Sequence, residues 1–145
     1  MCCDVKLATA ESCTGGLVAS KLTEKPGASK FFAGGIIAYT REMKVNLLGV
    51  PGEVIDSRGM VSEEVALAMA QGACSITGAD IGIGVTGLAG PGGDGSDVSV
   101  GTVCIAVCDT RDKTAVTATH FFNGDRKFVR MEAVKAALDM AAGRL

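Results

Sequence analysis

The sequence of 145 residues has no tryptophan, one tyrosine (Tyr39) and one histidine (His120). So few rings argue against the stacking platform on which proteins hold single-stranded nucleic acid. Lysine and arginine number 14 against 16 acidic residues, with the signs interspersed, so no basic face for nucleic acid is indicated. We therefore expect a small, locally held ligand and no nucleic-acid partner.

Long hydrophobic runs are also missing, although 48% of the residues are hydrophobic. No run approaches the roughly 20 residues of a membrane helix. Residues Met1–Lys6 begin no long apolar stretch of the kind that marks a signal peptide. We expect one domain over residues 1–145 with its own core, soluble, cytoplasmic and without a membrane partner.

The six cysteines form no C-x-x-C pair, and a lone histidine leaves no recognisable spacing for a zinc site. We expect no metal and no cofactor, and all six thiols reduced, as in a cytosolic protein. His120 lies in an alternating strand pattern, which favours a structural position over a catalytic base. Any nucleophilic catalysis here then needs a lysine or tyrosine as its base. The cysteines are Cys2, Cys3, Cys13, Cys74, Cys104 and Cys108.

Strand and helix patterns alternate along the chain, and a hairpin follows them. This order predicts an α/β fold with a mixed sheet and helices on both faces. Val50–Met60 is interpreted as turn-rich, and the last helix is predicted to bury Phe128 and Met131. The predicted strands are Val5–Ala10, Gly34–Tyr39, Asp80–Val85, Gly101–Cys108 and Thr114–Phe122. The predicted helices are Leu17–Lys25, Arg41–Leu48, a helix capped by Ser62 that runs to Thr77, and one that begins near Asn123.

Two glycine-marked strand ends are the first candidates for chemistry. Glu11-Ser12-Cys13-Thr14-Gly15-Gly16 sits where a strand turns into a helix, so backbone N–H groups could face a phosphate or an oxyanion beside Ser12. A plain Ser/Thr helix cap is the competing interpretation. Thr86-Gly87-Leu88-Ala89-Gly90 follows the third strand and is not a Walker A loop. It indicates either close approach of the backbone to a ligand or a flexible connection.

Two further pairs stand out, and each is ordinary when taken alone. Tyr39 ends a strand and Lys44 begins the next helix, and a lysine acts as a base only where burial or a nearby cation lowers its pKa. Arg126 lies at a helix start, where the helix dipole disfavours a cation, with Arg130 one turn later. Those arginines are either solvated or placed for an anion.

Taken together, these segments resemble the C-terminal domain of the CinA (competence/damage-inducible) family, which includes stand-alone nicotinamide mononucleotide deamidases. The resemblance covers nearly the whole chain in the family's order. Beyond the motifs around Ser12, Tyr39, Lys44, Thr86 and Arg126, it is carried by Pro26-Gly27-Ala28-Ser29, Leu48-Gly49-Val50, Val61-Ser62-Glu63-Glu64-Val65-Ala66 and Val100-Gly101-Thr102-Val103.

The resemblance implies a three-layer α/β/α sandwich on a five-stranded, mixed and mainly parallel sheet. It also implies hydrolysis of the carboxamide of nicotinamide mononucleotide to nicotinic acid mononucleotide and ammonia, without a metal. Carried over by position, Ser12 is the nucleophile, Lys44 its base and Tyr39 an orienting or proton-relaying residue. The substrate-binding positions are then Glu11, Thr14, Gly15, Gly16, Thr86, Gly87, Gly90 and Arg126.

The sequence departs from the family pattern in two places. Only ten residues precede Glu11, where the family usually has a helix before this strand, and its loss would expose one sheet face and affect oligomer formation. Asp97-Val98-Ser99-Val100 replaces the more usual Lys-Pro-Val. Two other functions remain open, a non-catalytic nucleotide-binding or regulatory module and a thiol enzyme that uses Cys13. We expect a homodimer from the frequency of two-fold assemblies.

Overall fold

The computed structural model describes residues 4–145, which form five strands and five helices. Met1, Cys2 and Cys3 lie outside the described residues, so the expectations about the leader segment and those two thiols are not addressed. Cys13, Cys74, Cys104 and Cys108 are free thiols. The strands are β1 Leu7–Glu11, β2 Phe32–Ile37, β3 Ile81–Gly87, β4 Thr102–Asp109 and β5 Thr114–Phe121. The helices are α1 Leu17–Leu22, α2 Arg41–Asn46, α3 Gly52–Arg58, α4 Glu63–Thr77 and α5 Arg126–Ala142.

The strands form one sheet in the order β2-β1-β3-β4-β5. β1 runs parallel to both β2 and β3, whereas β4 is antiparallel to β3 and β5. Four strands therefore point one way and β4 alone points back. α4 covers one face, and α1 and α5 cover the other. The predicted three-layer α/β sandwich on a mixed sheet is confirmed.

Helix α4 packs directly on β3 because both surfaces carry small residues. A methyl group added to Gly84 would overlap the carbonyl oxygen of Ala66 and lie 2.9 Å from the backbone nitrogen of Ala70. On the opposite face, Ile83 of β3 is fully buried in the same cluster as Val129 and Ala133 of α5. The sheet is thus sealed on both sides behind its strand ends.

Side-chain caps begin the two long helices. The Ser62 hydroxyl accepts a hydrogen bond from the backbone N–H of Val65 at 3.3 Å, which confirms the predicted cap of α4. The carboxylate of Asp125 accepts from the N–H of Phe128 at 2.8 Å at the start of α5. Each cap satisfies a backbone donor that the helix itself leaves free.

The structure corrects two predictions. Val50–Met60 is not merely turn-rich, because α3 occupies Gly52–Arg58 directly after Pro51, a residue that breaks a helix only in its interior. Phe128 and Met131 are not core residues, since 45% and 51% of their surfaces are exposed. α5 instead turns Val129, Ala133 and Ala137 toward the sheet. These smaller side chains let the helix approach β3 and β4 closely.

Within residues 4–145, no helix combines the length and apolar character needed to cross a membrane. In the same part of the chain, no group of three or more His, Cys, Asp or Glu side chains is placed to hold a metal ion.

Candidate active site

Ser12 follows the last residue of β1, the central strand of the parallel part of the sheet. Its backbone N–H donates to the carbonyl of Val85 on β3 at 3.0 Å, which fixes the chain just beyond the strand end. Ligand sites of α/β sheets lie at this edge, where parallel strands end together. The Ser12 side chain is therefore held rigidly at the mouth of a cavity, with 7% of its surface exposed.

Lys44 reaches Ser12 from α2, and its side chain is fully buried. The Lys44 Nζ lies 3.0 Å from Ser12 Oγ and donates to the carbonyls of Ala38 at 2.9 Å and Tyr39 at 3.3 Å. Burial lowers the pKa of the Lys44 ammonium from 10.5 to about 8, because a low-dielectric surrounding disfavours the charged form. Near pH 8 about half of the molecules thus carry a neutral amine beside the serine hydroxyl.

The loop after Ser12 is stabilised from inside the fold by Glu11. The carboxylate of Glu11 accepts from the N–H groups of Gly16 at 3.2 Å, Val18 at 2.9 Å and Ala19 at 3.0 Å. These donors begin α1, so the positive end of that helix faces Glu11. The positive end of α1 is therefore not free to bind a phosphate, and no Ser/Thr side chain caps this helix. The interpretation of this turn as a plain Ser/Thr helix cap is therefore wrong, because a buried carboxylate caps α1, whereas an oxyanion beside Ser12 stays a prediction.

Two backbone donors nevertheless remain free at the nucleophile. Within residues 4–145, the N–H groups of Cys13 and Thr14 donate to no other residue, whereas those of Ser12, Gly15, Gly16 and Leu17 are all engaged. A free N–H on the residue after the serine is where acyl-transfer enzymes stabilise an oxyanion. The backbone N–H of Cys13, which lines the cavity, is therefore the candidate oxyanion donor of this turn.

Arg130 of the distant helix α5 holds the carbonyl groups of this loop and so orients the Thr14 N–H, whereas the Cys13 N–H is set by the Ser12 carbonyl, which accepts from the N–H of Gly15 at 3.0 Å. The Arg130 Nε donates to the carbonyl of Cys13 at 3.0 Å, and its guanidinium also approaches the carbonyl of Thr14 at 3.4 Å. Because each peptide unit is planar, holding a carbonyl sets the direction of the N–H that follows it. From the sequence alone, Arg130 is either solvated or placed to bind an anion. No local pattern links this residue to a loop 116 residues away.

A cavity of about 270 Å³ opens beside Ser12 and Cys13. Arg126 bridges its rim, donating to the carbonyl of Gly90 at 2.7 Å and to the Tyr39 hydroxyl at 3.1 Å. Tyr39 lies beyond the end of β2 and is 53% exposed, so its hydroxyl marks the rim. The remaining lining residues are Met60, Val61, Thr86, Gly87, Leu88, Ala89, Gly92 and Asp94.

Thr86 lines this cavity, but its hydroxyl donates to the carbonyl of Met60 at 2.8 Å. Its side chain therefore ties the end of β3 to the segment before α4. Gly87 and Gly90 contribute backbone to the cavity wall, as expected of a glycine-rich turn. Asp97 does not line the cavity; its neighbours Val98 and Ser99 line a separate surface pocket beside Glu63 and Glu64.

The structure thus brings Ser12, Lys44, Tyr39, Thr86, Gly87, Gly90 and Arg126 to one place. Glu11, Thr14, Gly15 and Gly16 form the loop beneath it and do not line the cavity. The Thr14 hydroxyl is buried and has no hydrogen-bond partner among the described residues. Direct substrate contacts by these four residues remain a prediction.

The remaining nucleophile and base candidates lie in less favourable surroundings. His120 stacks on Phe122, with ring centroids 5.4 Å apart, on β5, three strands away from β1. The Cys13 thiol lines the cavity, but burial raises its pKa to about 11, so it stays protonated at neutral pH. Ser12 with Lys44 is therefore the pair best prepared for nucleophilic attack.

Residues 3–145 match the family model for the CinA C-terminal domain. The chain belongs to this family. A CinA-like protein of Acidobacterium capsulatum is 49% identical over 139 residues, which are 96% of this chain and 33% of that protein. A CinA-like protein of Leptospira biflexa is 47% identical over 132 residues, covering 91% and 31% of the two chains. This CinA-family chain spans about a third of the length of these relatives.

Solved structures agree with the family. A CinA superfamily protein from Escherichia coli superposes with a TM-score of 0.92 at 36% identity, covering 98% of this chain and 81% of that one. A competence/damage-inducible protein from Agrobacterium tumefaciens superposes with a TM-score of 0.91 at 37% identity, with coverage of 97% and 85%.

Proposed function

We propose that this CinA-family chain hydrolyses the carboxamide of nicotinamide mononucleotide, giving nicotinic acid mononucleotide and ammonia. The observation that carries the proposal is the 3.0 Å contact between Ser12 Oγ and the buried Nζ of Lys44, at the wall of a cavity. We further propose that residues 1–145 act as one metal-independent amidohydrolase domain in the cytoplasm, in the recycling of pyridine nucleotides.

In the proposed first step, Ser12 Oγ attacks the carboxamide carbon while neutral Lys44 takes its proton. The contact distance suits this transfer, and the lowered pKa supplies the neutral amine. The carbonyl oxygen gains negative charge, which the N–H group of Cys13, a residue that lines the cavity, stabilises. Lys44 returns the proton to the departing nitrogen, and ammonia leaves an acyl-Ser12 ester behind.

In the second half, Lys44 accepts a proton from a water that attacks the ester. The Cys13 N–H stabilises this tetrahedral intermediate as well, and its collapse returns the proton to Ser12 Oγ and frees the acid. Arg126 is the one cationic side chain among the residues that line the cavity. Its charge suits the phosphate of the substrate, while Tyr39, held by Arg126, orients the bound ring near Ser12.

The test is ammonia release from nicotinamide mononucleotide by the wild type, Ser12→Ala and Lys44→Met in the presence of a chelator. We expect each variant to lose at least about 10²-fold in kcat, because nucleophile and base act in the chemical step. Ser57→Ala and Lys21→Met are matched controls, since both residues are exposed and lie outside the cavity. The controls should retain full activity.

Other outcomes separate the competing functions. Stabilisation by the nucleotide without ammonia release would favour a non-catalytic binding module; ligand at 100 times its dissociation constant adds about 2.7 kcal/mol to the free energy of unfolding. Activity that persists in Ser12→Ala but disappears after alkylation of Cys13 would favour a thiol enzyme. Either result would overturn the Ser12/Lys44 mechanism.

A further inference from the structure

A cavity of about 580 Å³ lies at the opposite end of the sheet from Ser12. It is lined by residues at the C-terminal end of α4, the end of β4 and the start of β5. Two thiols, Cys74 of α4 and Cys108 of β4, contribute to its wall. The proposed amidase reaction uses neither of them.

These two thiols are in direct contact. Cys74 Sγ lies 3.8 Å from Cys108 Sγ, and both side chains are buried except where they face the cavity. Formation of a disulfide requires the sulfurs to approach by roughly 1.8 Å, to a bond of about 2.0 Å. Cys74 lies in the last turn of α4, and Cys108 is the residue before the last of β4, so small shifts at element ends suffice.

We propose that Cys74 and Cys108 form an oxidisable dithiol, which a hydroperoxide entering this cavity converts to an intramolecular disulfide. The Cys108 thiolate attacks one peroxide oxygen, the O–O bond breaks, and the products are the sulfenic acid of Cys108 and, after protonation, an alcohol or water. The Cys74 sulfur then attacks the sulfenic sulfur, and the thiol proton leaves with the hydroxyl as water. In total, two thiols lose two electrons and two protons, and one peroxide is reduced.

The surroundings assign the two roles. The contact with Cys74, in which either thiol can be the donor, lowers the pKa of the Cys108 thiol to about 7, and backbone donors, chiefly that of Gly82, act in the same direction. The same contact, together with burial and the carboxylates of Asp80 and Asp109, raises the pKa of Cys74. Cys108 is therefore the attacking thiolate and Cys74 the resolving thiol.

Cys104 provides the matched comparison within the same strand. It lies on the same face of β4 and is equally buried, but its nearest polar neighbour is the Thr119 hydroxyl at 3.6 Å. Burial raises the pKa of Cys104. If the peroxide oxidised every buried thiol without regard to its neighbours, Cys104 would be found in disulfides as often as Cys74.

The experiment uses the full chain with Cys2→Ser and Cys3→Ser, so that only the four described thiols remain. The protein is treated with a small excess of hydrogen peroxide, free thiols are alkylated, and the peptides are mapped. Trypsin leaves Cys74, Cys104 and Cys108 on one peptide, because no Lys or Arg lies between Gly59 and Thr110. A second cleavage before Asp80 separates Cys74 from the other two.

We expect a Cys74–Cys108 linkage that persists in Cys104→Ser and is reversed by dithiothreitol. Thermal unfolding should shift upward by roughly 5 °C on oxidation, because the cross-link restricts the unfolded chain. In Cys74→Ser, a 1,3-diketone should trap the sulfenic acid on Cys108. The proposal would be overturned if Cys74 and Cys108 both remained free thiols after treatment, or if either were linked to Cys104 or Cys13. A disulfide between two chains, or oxidation of Cys108 to the sulfinic acid while Cys74 is present, would also overturn it. The mapping needs no Cys74 or Cys108 variant, so it decides even if those variants misfold.

Discussion

Lys44 is the residue whose surroundings matter most at the candidate site. An ammonium group with no exposed surface lowers stability, because water no longer solvates its charge. A serine hydroxyl and two main-chain carbonyls offset part of this cost. The same burial that makes the amine a usable base therefore makes the fold sensitive to pH.

Replacement of Lys44 by Met tests that sensitivity. The pKa of Lys44 is about 8 in the folded chain and near 10.5 when unfolded, so between these values the unfolded state binds more protons. Wild-type stability should therefore rise with pH in this window. Relative to Lys44→Met, we expect the free energy of unfolding to gain about 1.5 kcal/mol between pH 8 and pH 9.5.

Urea unfolding of both proteins at several pH values measures this difference, and Lys21→Met, a change at an exposed ion-paired lysine, serves as the control. In the wild type, kcat/KM should rise with pH and level off above about pH 8, as Lys44 loses its proton. If the difference in stability between the wild type and Lys44→Met did not change with pH, then burial would not disfavour the charged form of Lys44.

Three residues of the candidate site show what the sequence alone does not predict. Ser12 and Lys44 were assigned as a pair through the family resemblance, because nothing in their spacing says that a lysine 32 positions later points inward. Glu11 illustrates the reverse case. A carboxylate before a serine-glycine turn suggests a ligand contact, yet its three hydrogen bonds go to the backbone of α1.

At the scale of helices and strands, the sequence predicts those features that depend on residues close together in the chain. The Ser62 cap, the β4–β5 hairpin and the glycine-rich strand ends all appear where the sequence indicates them. α3 is not predicted from the sequence, because Pro51 and Gly52 at its start are also typical of turns. Phe128 and Met131 were misplaced because the orientation of α5 depends on how closely small residues approach the sheet, which a helical period alone does not reveal.

That close approach leads to a prediction for the β3–α4 contact. Gly84→Ala would place a methyl group against the Ala66 carbonyl and 2.9 Å from the Ala70 nitrogen, and both are backbone atoms that cannot rotate away. We expect a loss of about 3 kcal/mol in the free energy of unfolding. Gly93→Ala is the control, because an added methyl group there has no atom within 4 Å. Equal stability of the two variants in denaturant titrations would contradict the packing described for α4.

For the molecule as a whole, we propose a homodimer. Several large apolar side chains remain uncovered by the described residues, among them Phe121 of β5 and Met131 of α5. Two-fold assemblies are the commonest way in which soluble proteins cover such surfaces. Light scattering over a range of concentrations should give twice the 14.7 kDa of one chain. The mass of a single chain at every concentration would contradict the proposal.

Arg130 links the loop after β1 to helix α5. The loop that carries Ser12 lies at positions 12–14, whereas the guanidinium that holds two of its carbonyls belongs to α5. During synthesis the first strand and its loop leave the ribosome long before that helix does. A nascent chain can therefore carry Ser12 and Lys44 and still lack the contact that holds this loop, so catalytic competence should arrive only after α5 has been synthesised.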